Sequence, residues 1–143
     1  MRERSAGGLL GAALLLAALS ARADTEQLGV KLNCEPALSV GRIRCALDVS
    51  SPEGSRLAWV DALVVETPPF ARALRTRVAQ PIGVDRTKSE LLLGLVASGE
   101  GVGTLGVRAR AVVCPISGKA RCRPLSRLVT LELKVGASPP PPP

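Results

Sequence analysis

Four cysteines, Cys34, Cys45, Cys114 and Cys122, are the residues of this chain best suited to chemistry. The last two enclose seven residues in "VCPISGKARCRP" (113–124), and Lys119, Arg121 and Arg123 lie among or beside them. Positive charge stabilises a thiolate, lowers its pKa and raises the reactive fraction at neutral pH. A strained, exposed disulfide is also easier to reduce. The segment therefore offers two chemistries, thiol–disulfide exchange or a covalent staple.

Other chemistry is thinly represented. The chain has no histidine, which removes a Ser-His-Asp triad, a Cys-His pair and histidine metal sites. Trp59 and Phe70 are its only aromatic residues, too few for ring stacking on sugars or bases. Asp61, Glu66 and Glu90 are scattered and form no readable carboxylate pair. "GEGVGTLG" (99–106) superficially resembles a phosphate loop. Such a loop needs a helix after it, whereas a strand is expected here, and Glu100 would repel an anion. The cysteine spacings, ten and seven intervening residues, are wide of zinc knuckles. No metal and no cofactor are expected.

The N-terminus carries an export signature. Arg2 and Arg4 precede an uncharged apolar run over 7–19, and Ala21-Arg22-Ala23 forms an A-x-A cleavage site. The run is shorter than the roughly 20 residues of a spanning helix. Residues 1–23 are therefore expected to be a signal peptide, with cleavage near Ala23-Asp24 and delivery to the periplasm or the medium. No later stretch has the length and apolarity of a membrane span. Four cysteines in an exported chain imply two disulfides.

Residues 24–143 number 120, with 16 basic and 11 acidic side chains, for a net charge of +5. One domain with a real core fits this length. The excess of arginine would attract acidic proteins or anionic envelope polymers. Nucleic acid is not an expected partner of an exported chain.

The patterning from Leu28 onward is that of strands and turns. Ile43, Cys45, Leu47 and Val49 alternate with Arg42, Arg44, Ala46 and Asp48. "SSPEGS" (50–55) reads as a turn, and 56–67 as a strand although Leu57, Val60 and Val64 also fall at helical spacing. Further strands are expected over 70–78, 88–98, 104–114 and 128–135. In the last, Val129, Leu131, Leu133 and Val135 point inward. The tail "GASPPPPP" cannot pair in a sheet and is expected to be extended polyproline.

About seven short strands predict an all-β, immunoglobulin-like antiparallel sandwich over 24–136, followed by a proline-rich tail over 137–143. Trp59 lies 14 residues after Cys45 and Cys114 lies 69 after Cys45, spacings at which immunoglobulin domains pack a tryptophan on a disulfide. Four cysteines allow three connectivities. Short turns at 38–41 and 117–119 favour the local set, Cys34–Cys45 with Cys114–Cys122. Cys114 also shares a face with Arg108 and Arg110 rather than with Val113, which speaks against a core bridge.

A strand entering a cysteine, a short loop, a second cysteine followed closely by proline (Cys122-Arg123-Pro124) and a final strand occupy about residues 104–135. This arrangement resembles the N-terminal immunoglobulin-like periplasmic domain of the transmembrane thiol:disulfide interchange proteins. The resemblance implies that Cys114 and Cys122 are an electron-shuttling pair. The residues themselves favour a non-enzymatic envelope binding or structural module with two inert bridges. Its candidate contact surface is the basic hairpin Lys119, Arg121, Arg123 and Arg127 with Arg108 and Arg110 beside it.

Overall fold

The computed structural model describes residues 26–119, 121–137 and 142–143. The expected signal peptide and most of the polyproline tail lie outside the described residues. Eight strands follow in order: β1 (Gly29–Cys34), β2 (Gly41–Ser50), β3 (Ser55–Glu66), β4 (Ala71–Ala73), β5 (Arg77–Ala79), β6 (Lys88–Ala97), β7 (Gly101–Pro115) and β8 (Arg123–Val135). They form two four-stranded antiparallel sheets, β1-β2-β6-β4 and β5-β3-β7-β8. This is the strand order of an immunoglobulin-like sandwich, with β5 added at the β3 edge.

Period-two alternation builds the core. Ile43, Cys45, Leu47 and Val49 of β2 and Leu91, Leu93 and Leu95 of β6 face Leu57, Val60 and Ala62 of β3 and Leu105, Val107, Ala109 and Val113 of β7. Burying a side chain of this kind contributes about 1.5–3 kcal/mol. Two meshed aliphatic faces thus supply the fully buried core, with half-buried Phe70 packed against it.

The expected strand over 70–78 is broken in two. β4 pairs with β6 and β5 pairs with β3, so the chain changes sheets between them. The Leu74 amide still donates to the Gly94 carbonyl (2.9 Å), and the Val64 amide donates to Thr76 (2.8 Å) on the other sheet. Leu74 lies against Gly94, where an added Cβ would come within 2.8 Å of Leu74 Cδ1. Local alternation continues through such a crossing and so cannot reveal it.

Two other boundaries move outward. β7 begins at Gly101 rather than 104, and β8 at Arg123 rather than 128, giving an unbroken ladder from Gly101↔Val135 to Val113↔Arg123. The polar residues Arg123, Ser126 and Arg127 belong to a strand because β7 supplies partners along its whole length.

Both disulfides are local. Cys34 and Cys45 are directly paired across β1 and β2, and Cys114 joins Cys122 across the β7–β8 turn. None of the four cysteines is left as a thiol. At the far end of the β1–β2 connection, Gly136 N–H donates to Ala37 O (2.9 Å), tying that loop to the end of β8.

Candidate functional site

A break in the alternation of β3 shapes the outer face of the β5-β3-β7-β8 sheet. Leu57 pairs with Val113 but Trp59 pairs with Val112, so Ala58 is an extra residue in a β-bulge. One extra residue exchanges the faces of everything beyond it. Leu57 points into the core, and Trp59, which strict alternation would have placed beside it, points out with 38% of its surface exposed. Trp59 therefore shares the spacing of an immunoglobulin tryptophan but not its inward side. Neither bridge spans the two sheets, and the bulge takes the indole to the other side.

Two residues on, Asp61 shares this outward face, yet its side chain is 0% exposed. Arginines cover it. Arg110, its direct cross-strand neighbour on β7, donates from Nε to Oδ1 (2.8 Å) and from Nη2 to Oδ2. Arg77 on β5, opposite Leu63, reaches diagonally and donates from Nε to Oδ2 (2.7 Å). Both guanidinium groups also lie on the Trp59 ring, at 5.9 Å for Arg77 and 5.7 Å for Arg110 from its centroid. Burial alone would push the Asp61 carboxyl up. The hydrogen bonds from Arg110 and then Arg77, with their charges, outweigh it and hold the carboxyl below its ordinary range.

The face around this cluster mixes arginine with apolar groups. Leu63, Arg108 and Leu128 form one cross-strand row, Asp61, Arg110 and Ser126 the next, and Trp59, Val112 and Pro124 the third. Leu128 is 47% exposed. A shallow groove runs beside Trp59 over Val112, Pro124 and Ser126.

The six basic residues singled out in the sequence do not form one patch. Arg108 and Arg110 stand on the sheet face, with Arg110 engaged by Asp61. Lys119 and Arg121 are exposed at the hairpin tip. Arg123 and Arg127 occupy inward positions at the β8 edge, where Arg123 pairs with Glu26 and Arg127 Nη1 donates to the Leu28 carbonyl (2.8 Å). Inward charges and a proline such as Pro124 are devices that blunt an edge strand against further pairing. Cys114 is 7% exposed, and Cys122 is exposed at the same tip.

The Asp61 cluster was missed because its members come from three strands. Its signal was an aspartate two residues from the sole tryptophan inside an apolar strand. Without the bulge and the β3–β7 register, that signal has no partner.

No protein-family model and no curated protein matches the sequence. Among solved structures, the Salmonella SafD adhesin is similar at 11% identity and a TM-score of 0.43, over 78% of this chain and all of that one. Among the described residues, no cluster of His, Cys, Asp or Glu could hold a metal, and no helix is long and apolar enough to cross a membrane.

Proposed function

We propose that this protein is an exported, non-enzymatic binding module of the cell envelope. Its contact surface is the outer face of the β5-β3-β7-β8 sheet. The observation that carries the reading is Asp61, fully covered on a solvent-facing side by Arg77 and Arg110, which rest on Trp59. Tryptophan and arginine are the residues on which binding energy concentrates. Here both are pre-positioned, so little rotamer entropy is lost on contact. Two disulfides point to an oxidising compartment, periplasm or medium. The partner is an acidic protein or an anionic envelope polymer.

The test compares two exposed leucines on opposite sheets. Leu128→Glu places a carboxylate beside the arginine cluster, and Leu92→Glu changes the outer face of the other sheet, where Leu92 is 60% exposed. Leu128→Glu is expected to abolish capture of the envelope partner, and Leu92→Glu to leave it intact. Loss with Leu92→Glu alone would move the contact surface to the other sheet.

A second reading, thiol–disulfide exchange through Cys114 and Cys122, draws on the exposure of Cys122 beside Arg121. An incoming thiolate could reach that sulfur. Under the binding reading both bridges resist reduction until below about −300 mV, whereas an exchanging pair would open between about −120 and −270 mV. Redox titration with alkylation and peptide mass analysis separates the two.

A further inference from the structure

We propose that Arg77 and Arg110 on Trp59 seat a side-chain carboxylate of an acidic peptide segment, whose neighbouring residues lie along the groove over β7 and β8. The inference rests on reading this sheet face as the contact surface and names what it contacts. Asp61 satisfies Arg77 only through Nε and Arg110 through Nε and Nη2. Among the described residues, Arg77 Nη1 and Nη2 and Arg110 Nη1 donate no hydrogen bond. The guanidinium-bearing side chains remain 57% and 37% exposed while the carboxylate beneath is wholly covered. A carboxylate that served only to hold β5 would not need to turn two cationic forks outward. Two guanidinium groups over one carboxylate leave a local charge of +1, fixed in place and open to solvent. Planar forks of this kind match a carboxylate through paired hydrogen bonds.

The surroundings favour a peptide. The groove beside the arginines is lined by Trp59, Val112 and Pro124, an apolar strip with Ser126 at its margin. Aliphatic atoms next to an acidic side chain would cover that strip, whereas a polyphosphate has none to offer. A polyuronate carries carboxylates, but the hydroxyl groups of its rings would be desolvated against apolar Val112 and Pro124.

Trp59 provides the assay. It is the sole tryptophan, and the chain has no tyrosine, so intrinsic emission reports on this site. Poly-L-glutamate is titrated into the mature protein at low ionic strength, with inorganic polyphosphate and polygalacturonate in parallel. Poly-L-glutamate is expected to change the emission saturably. Arg77→Gln is expected to weaken binding about tenfold, the loss of one charge-assisted contact. Arg77→Lys, which keeps the charge on Asp61 but not the fork, should weaken it several-fold. Arg72→Gln removes the same charge from exposed β4 of the other sheet and should change affinity by less than about twofold, the small effect of a distant surface charge. Far-UV circular dichroism and melting confirm that each variant is folded.

The proposal is overturned if poly-L-glutamate leaves the emission unchanged. It is overturned equally if Arg72→Gln weakens binding as much as Arg77→Gln, or if polyphosphate or polygalacturonate binds as well with the same dependence on Arg77. Should poly-L-glutamate fail while Leu128→Glu still abolishes partner capture, the contact face stands and only the carboxylate seat falls.

Discussion

Asp61→Ala is expected to lower stability by about 2–3 kcal/mol, a large effect for a residue on an outer face. The carboxylate is fully buried and accepts three charge-assisted hydrogen bonds, two from Arg110 and one from Arg77. Removing it releases both guanidinium groups. Because they are already partly exposed they can rehydrate, which keeps the loss below that of stranding a fully buried charge. β5, three residues long, also loses a side-chain tie to β3. Trp59 should become more mobile and more exposed, with red-shifted emission. Urea unfolding read by circular dichroism measures the loss. Its pH dependence gives a second check. The folded-state pKa of Asp61 is depressed, so its stabilisation is fully present above the ordinary carboxylate pKa of about 3.9 and fades as pH falls through the folded value. The gap between wild type and Asp61→Ala should therefore narrow on acidification below about pH 4, and stay constant from there to neutrality. A gap that widened on acidification would mean that the carboxylate is not held ionised by the arginines.

Replacing both Cys34 and Cys45 by Ala should lower stability by about 3 kcal/mol, and the melting temperature by about 10–15 °C. The bridge closes a loop with a sequence separation of 11, which restricts the unfolded chain. Cys45 is also 3% exposed in the core, so its replacement removes packing as well. β1 is an edge strand paired only with β2, and this bridge fixes its last residue. The equivalent change at Cys114 and Cys122 should cost less, because its loop is shorter and Cys122 is exposed. Scanning calorimetry of the two double variants measures the difference. If the Cys114–Cys122 removal proved the more damaging, the hairpin tip would be bearing structure that its exposure does not suggest.

The fold was legible wherever one face of a strand is buried. The alternation in 40–49 and 104–114 marks half-buried strands, and both strands carry the core side chains expected of them. It was illegible where tertiary context overrides local pattern. The segment 70–78 alternates and still divides between two sheets. Arg123 to Arg127 are polar and still extend β8, since β7 supplies the hydrogen-bonding partners. The outer face of the β5-β3-β7-β8 sheet was hardest to read. A bulge at Ala58 carries Trp59 away from the core, and nothing in a period-two pattern announces a bulge. Asp61 looked unpartnered because its arginines lie 16 and 49 residues away. Four of the six basic residues that drew attention by proximity along the chain sit at the hairpin tip or the β8 edge.

The most direct test of the contact face is photo-crosslinking in intact cells with a photoreactive amino acid placed at Leu128 or at Leu92. The two positions are both exposed and lie on opposite sheets, so they differ in face rather than in access. A discrete adduct from position 128 and none from position 92 is the predicted result, with the adduct lost when Arg77→Gln is added. An adduct from position 92 with none from 128 would contradict the account and place the working surface on the β1-β2-β6-β4 sheet.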